Sequence, residues 1–229
     1  MNAWPIMEQA AARFADRLRA VPDAVAQHVP VHSPTNGNLV WTNVLLTSAR
    51  FRHGHVETFI VPDRISVLHV CLFPHVHDPR PIYGFDMIAG SARVTGIFLD
   101  LSPTTQEPPI PSLREICDGT GTGAFANQRA LPEWGHIFSK DVLAIRPSDL
   151  EEVDRAIHLA EAALDAFLSA PAVLSPEYAS DIIAGQARYI AAQRQNEHTF
   201  KMLAGFIGAE NARNFVDEVL FPTVPDLNG

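Results

Sequence analysis

Cysteine is scarce in this chain of 229 residues: there are two, Cys71 and Cys117. Two thiols cannot hold a four-thiolate iron–sulfur cluster and suggest no disulfide framework, and a reducing cytoplasm is the default compartment for such a chain. Long apolar runs are also missing, so no membrane-spanning helix is expected. Residues Met1 to Met7 carry no basic stretch followed by an apolar core, so no secretory leader is expected. Basic charge is in deficit, with 17 Lys and Arg against 26 Asp and Glu and a formal net charge of −9. That balance weighs against a nucleic-acid-binding face, although a local basic patch remains compatible with it. There is no internal repeat and no low-complexity tract.

What is present is a globular composition, 47% hydrophobic and 19% charged. A chain of this length and make-up can bury one sizeable core, and a single domain over residues 1–229 is the simplest expectation. Histidine is frequent, at ten residues, and four of these form two tight pairs, His53/His55 and His75/His77.

Hydrophobic periodicity predicts a helix over 6–20, a loop over 22–37, and then strands over 39–48, 51–61, 65–73, 84–89 and 93–101, rich in Val, Ile, Thr and Phe. The connections are short, which favours antiparallel hairpins over parallel crossovers. A loop over 103–111 follows, then a short helix, a flexible glycine-rich connection at 119–123 and a further strand near 141–146. The next helix is expected to open at Ser148, whose spacing to Glu151 fits a capping box. A long helix over 175–204, opening at Ser175-Pro176, and a last one over 208–219 complete the chain. Strands first and helices mainly afterwards imply an α+β fold, a three-layer α/β/α sandwich with a central antiparallel sheet flanked by helices.

The hairpin closed by Pro62-Asp63-Arg64 is the most informative element. If those three residues form its loop, Glu57 lies directly opposite His69 on one face of the sheet. His53, His55 and Glu57 alternate along their strand and share that face. A carboxylate opposite His69 raises its proton affinity while burial lowers it. A core histidine satisfied by an acid and a proton-transfer pair fit this hairpin equally well; a buried Glu–His pair is costly as a purely structural device. Asp86, flanked by Phe85 and Met87, on its own fits a structural aspartate best.

The stretch VLHVCLFP, six residues on PIYGFDMIAG, and then VTGIFLDLSPT resembles the ferredoxin-dependent bilin reductases, in particular their phycocyanobilin-forming branch and its phycoerythrobilin-forming offshoot. Two further blocks agree, NQRALPEWGHIFSKDVLAIRPS and QRQNEHTFKMLAGFIGAENARNFVDEVLFP. Together they cover roughly residues 50 to 222, in the family's order. The resemblance implies a bilin held between the sheet and the C-terminal helices, with no bound metal, flavin or nicotinamide. It implies biliverdin IXα as substrate, single electrons from reduced ferredoxin up to four in all, and side chains that protonate bilin radicals. Asp86 matches the central proton donor, His69 the histidine that works with it, and Glu57 the glutamate of the phycocyanobilin-forming branch. His55 matches a histidine of the same network, Thr95 and Arg129 match residues that hold propionates, and Asn196 matches an asparagine over the bilin.

Two departures from the family pattern leave the product open between phycocyanobilin and phycoerythrobilin. Glu197 stands where the family has aspartate, and His198 where a lysine meets a propionate. The resemblance further implies an acidic ferredoxin docking on basic residues, with Arg188, Arg194, Lys201 and Arg213 as candidates. Functional coupling to haem oxygenase and a cytoplasmic monomer are expected with it.

Two other readings compete. A non-catalytic bilin carrier needs no proton donors, which disfavours it given Glu57, His69 and Asp86. A His/Asp metal enzyme built on His75-Val76-His77-Asp78 lacks further ligands at proper spacing. Gly119 to Gly123 lacks the strand–loop–helix setting of a phosphate loop.

Overall fold

A computed structural model of the protein describes residues 4–29, 39–106, 108–171 and 175–225. The expected loop over 22–37 lies outside the described residues from position 30 onward, as does position 107 of the loop over 103–111.

The β-rich half folds as a meander. Strands β1 (Val25–Ala26), β2 (Val40–Ser48), β3 (Phe51–Val61), β4 (Ile65–Phe73), β5 (Ile82–Ala89), β6 (Val94–Ser102) and β7 (Leu143–Ile145) form one sheet in sequence order. Every pair is antiparallel, as short connections require. The turn at Pro62-Asp63-Arg64 is the expected one. Asp63 takes a left-handed conformation with φ 59°, which aspartate tolerates better than most residues. Two-residue β1 sits inside the expected loop, too short to leave a periodic signal.

Alternation along the strands divides the side chains between two cores. Val56, Leu68, Val70, Phe85, Met87 and Leu99 face one way, toward Met7, Phe14 and Leu18 of α1 (Trp4–Arg19) and Ile157, Leu164 and Phe167 of α3 (Leu150–Ser169). Phe59, Cys71 and Phe73 face the other way, under α4 (Ala179–Gln193), α5 (Glu197–Ile207) and α6 (Ala209–Phe215). The fold is thus the expected three-layer α/β/α sandwich.

A bulge breaks the alternation at the start of β3. The β2–β3 register passes from Leu46↔Gly54 to Ser48↔Phe51, so Arg52 and His53 together oppose Thr47. Adjacent residues in a bulge can share a face. Phe51 stays with the α1–α3 core, while Arg52 reaches Gln186 of α4 and His53 packs on Phe73.

Helix ends depart from expectation in four places. The cap of α3 is Asp149, which accepts from the Glu152 amide at 2.9 Å, one residue past Ser148. Glu152 in turn accepts from the Ser148 amide at 2.8 Å, so the reciprocal pattern is shifted, not absent. Gly119 lies inside α2 (Leu113–Thr120), and Gly121 ends it with φ 66°, so this segment is a helix cap and not a flexible connection. The long helix over 175–204 is broken. A 3-10 turn covers Pro176–Tyr178, α4 stops at Gln193, and Asn196 caps α5 with Oδ1 accepting from the His198 amide. An asparagine side chain competes for backbone amides and so starts a new helix. Arg194 fixes the break by donating to the Phe221 carbonyl at 2.7 Å and pairing with Asp217 at 3.2 Å, both C-terminal to α6. The last expected helix ends as a π turn, Val216–Leu220.

Candidate active site

Strand register draws one straight line of side chains across the sheet. Asn43, Glu57, His69, Asp86 and Phe98 are successive partners on β2 to β6. All lie on the face beneath α4–α6. The three residues singled out from the sequence are therefore adjacent, with His69 flanked by a carboxylate on either side.

The electrostatics make this row a store of protons. The His69 ring lies with Nδ1 2.8 Å from Asp86 Oδ1. Burial alone would lower the His69 proton affinity; the Asp86 charge and hydrogen bond, with Glu57 behind them, raise it above the usual histidine value. As an imidazolium, His69 donates from Nδ1 to Asp86. Glu57 is pushed up to about 7, first by burial and then by the Asp86 charge, against the opposing pull of His69 and of the Trp41 indole. Near neutral pH such a carboxyl holds its proton about half of the time, which suits a general acid. Asp86 is the open end of the row, its side chain 39% exposed against 11% for His69.

His55 is fully buried, and its Nε2 lies 2.9 Å from Asn43 Oδ1. Burial and the neighbouring His69 hold it well below the usual histidine value, hence neutral. The Asn43 contact then places the ring proton on Nε2 and leaves Nδ1 an acceptor. His53 is lowered to about 3, chiefly by burial. His53 Nε2, His55 Nδ1 and His69 Nε2 are buried and meet no protein partner among the described residues. Their rings stand 6.2 and 5.8 Å apart in sequence along this face. Such atoms are suited to a polar ligand or bridging water.

The other expected residues divide. Arg129 stacks on Phe98 at 5.0 Å, at the end of the row beyond Asp86. Gly96 makes this possible, since a Cβ there would stand 2.5 Å from Arg129 Nη1. Thr95 precedes it as the extra residue of the β5–β6 irregularity, exposed, with its hydroxyl donating to the Ile88 carbonyl. Asn196, Glu197 and His198 form the start of α5 instead of joining the row. Asn196 spends its oxygen on the cap, and exposed Glu197 pairs with Lys201 at 2.6 Å. Of the expected docking cations, Lys201 is thus engaged, as are Arg194 with Asp217 and Arg213 over Phe200. His75 donates its Nε2 proton to the Ser48 carbonyl, and the buried Asp78 carboxylate belongs to Arg80, so the His-x-His-Asp loop serves structure. Among the described residues no cluster of His, Cys, Asp and Glu could hold a metal ion.

Sequence reasoning missed Trp41 and Asn43, the β2 residues that bond Glu57 and His55. It also missed Tyr189, which sits over Gly84, accepts from Gln193 Nε2 at 2.9 Å and packs on Phe73. The helical pattern of α4 marks Tyr189 only as an apolar-face residue.

Comparison with known proteins decides the family. The model of the ferredoxin-dependent bilin reductases matches residues 7–222. The chain belongs to the ferredoxin-dependent bilin reductase family. Its reaction class is therefore an oxidoreductase one, reduction of a bilin with ferredoxin as donor. It is 32% identical over 187 residues to a phycocyanobilin:ferredoxin oxidoreductase of Trichodesmium erythraeum (strain IMS101), covering 80% of this chain and 76% of the relative. It is 30% identical over 236 residues to the protein of that name from Prochlorococcus marinus (strain MIT 9313), covering 97% and 88%. Among solved structures, tomato phytochromobilin synthase in complex with biliverdin superposes with a TM-score of 0.71 at 13% identity, covering 96% of this bilin reductase and 82% of that chain. The structure of PcyX gives a TM-score of 0.61 at 21% identity, covering 97% and 99%. Among the described residues no helix is long and apolar enough to cross a membrane.

Proposed function

We propose that this protein reduces biliverdin IXα to a phycobilin, taking electrons singly from reduced ferredoxin, with Asp86, His69 and Glu57 supplying the protons. The observation that carries the reading is the row of these three side chains on one sheet face, two carboxylates about one imidazole. Reduction of one carbon–carbon double bond takes two electrons and two protons. A group that receives electrons one at a time needs a proton source at hand for each radical, because an unprotonated radical anion is readily re-oxidised.

In this reading biliverdin lies on the row beneath the α4–α6 layer. The His69–Asp86 pair protonates the bilin first, Asp86 being the more exposed member. Glu57, deeper and poised near neutrality, serves one of the later reductions. Arg129 takes a propionate, its planar guanidinium being matched to a carboxylate, with Thr95 beside it. His198 meets the second propionate, and Asn196 acts through the bend it caps. Glu197, paired with Lys201, stands outside the proton-donor row. No resident cofactor enters the scheme. A haem-cleaving oxygenase supplies the substrate, and the protein works as a cytoplasmic monomer.

The test is an anaerobic assay with biliverdin and chemically reduced ferredoxin. Absorption bands of bilin radicals should rise and decay, and chromatography should show phycocyanobilin or phycoerythrobilin. A bound biliverdin spectrum that stays unchanged, while a known bilin reductase turns over in the same mixture, rejects the reading in favour of a carrier.

A further inference from the structure

Trp41 lies in β2 on the sheet face that carries Glu57, His69 and Asp86. The β2–β3 register sets Asn43 opposite Glu57 and Trp41 opposite Phe59, one step along the same face. The indole Nε1–H donates to Glu57 Oε1 at 2.5 Å. The ring is held by more than this bond. It packs on Phe215 of α6 at 4.7 Å and edge-on to Phe59 at 5.9 Å. Packing therefore fixes the direction in which the N–H points.

We propose that Trp41 is the positioning residue of the proton-donor row: it claims Glu57 Oε1 as an acceptor, so that the proton Glu57 delivers to the bilin is carried on Oε2. The inference rests on the reading of Glu57 as a proton donor. An indole nitrogen donates and never accepts. Oε1 thus cannot point a hydroxyl proton at Trp41 without losing the bond, and because a carbonyl oxygen accepts better than a hydroxyl oxygen, the acidic proton is favoured on Oε2. Without the indole, a carboxylic acid can carry its proton on either oxygen, and half of the orientations aim it away from the bilin.

The same bond favours the ionised form of Glu57 and so opposes burial. Among the described residues, few titratable groups bear on Glu57. His69 and Asp86 bear on it from β4 and β5, and His55 beside it on β3 is neutral. The helical layer presents Phe215 to Trp41 and His55, and Phe221 to His69. Of the charges of that layer, Arg194 pairs with Asp217, Lys201 with Glu197, and Arg213 lies over Phe200. Loss of the indole donor should therefore register in the titration of Glu57.

The experiment follows that titration by carbon-13 NMR of side-chain-labelled glutamate in the folded protein, with the signal assigned by its loss in Glu57→Gln. Two variants separate donor from packing. Trp41→Phe keeps an aromatic ring and lacks the N–H. Trp41→Gln lacks the ring but carries an amide N–H the same number of bonds from Cα. Trp41→Phe should move the Glu57 midpoint up by about one pH unit, the worth of a hydrogen bond to a charged group. Trp41→Gln should leave it within a few tenths of a unit. An unmoved midpoint in Trp41→Phe, or equal movement in both variants, overturns the proposal. Turnover is scored separately. If the midpoint moves as expected and Glu57→Gln still yields the wild-type product, Trp41 orients Glu57 but the proton-donor reading of Glu57 fails.

Discussion

His69 and Asp86 face each other across β4 and β5, ring Nδ1 to carboxylate Oδ1 at 2.8 Å, and Asp86 is the member open to a ligand. On the proposed reading the pair divides two tasks that one side chain performs poorly. The histidine holds a proton against the cost of burial because the aspartate is beside it. The aspartate, being more exposed, can reach a substrate while drawing on that proton.

Asp86→Asn separates the two tasks. The amide keeps the shape of the side chain, so biliverdin should bind with nearly unchanged affinity. It cannot pass a proton, and it removes the charge that raises His69. Turnover should therefore fall by about 100-fold or more, the usual contribution of general acid catalysis. The reaction should stall at an early radical, visible by electron paramagnetic resonance. Turnover at the wild-type rate would refute the role.

Glu57→Gln should act later. The first reduction should proceed and a two-electron intermediate should accumulate, because the remaining pair still serves the first radical. Chromatography of a timed reaction checks this, and an unaltered product profile counts against it.

The row was partly legible in the sequence, and the reason is local. Pro62-Asp63-Arg64 closes a tight hairpin with no irregularity, so the loop position alone sets Glu57 against His69. Asp86 followed from the family resemblance, since the β4–β5 connection is too long for register to be counted across it. Trp41 and Asn43 were hidden by the bulge. Counting back from the Ser48↔Phe51 pair without it sets Thr42 opposite Glu57 and turns Trp41 and Asn43 to the wrong partners. The strands and the sandwich were legible because strands buried on both faces read as long apolar runs rich in Val, Ile, Leu and Phe, as in β4. The break at Arg194–Asn196 was not: apolar spacing continues across it, and beside the Asn196 cap it is held by tertiary bonds of Arg194 to Phe221 and Asp217.

Stability should depend on pH in two opposed ways. His53 is lowered to about 3 from an ordinary 6.5, so the unfolded chain binds more protons between those values. Stability is therefore lost as pH falls from 6.5 toward 3. At pH 4 this amounts to about 3 kcal/mol from His53, with His55 acting in the same direction. Glu57, raised from 4.5 to about 7, acts the other way: the folded state binds the extra proton, and stability is lost as pH rises from 4.5 through 7. His69, also raised, adds to that alkaline loss above 6.5. His53→Gln should flatten the acid limb of a urea-midpoint profile and Glu57→Gln the neutral one. Parallel profiles for wild type and His53→Gln would sink the assignment of His53 as a neutral buried group.

Arg80 and Asp78 give a stability effect that should leave the chemistry alone. Both are buried, at 0% and 1% exposure. Arg80 Nε reaches Asp78 Oδ2 at 2.9 Å, and the guanidinium also donates to the carbonyls of Phe167 and Arg50. One side chain thereby joins the end of α3, the β2–β3 turn and the segment entering β5. Arg80→Leu removes the only cation facing Asp78 in these contacts and leaves a buried carboxylate unpaired, at a cost of about 3–5 kcal/mol. Replacing both, Asp78→Asn with Arg80→Leu, removes the stranded charge and should recover part of the loss. Neither residue touches the proton-donor row, so kcat per folded molecule should match wild type while the urea midpoint falls. A loss in Arg80→Leu below about 1 kcal/mol, in the range of exposed ion pairs, would show that the Asp78 carboxylate is not stranded in the core.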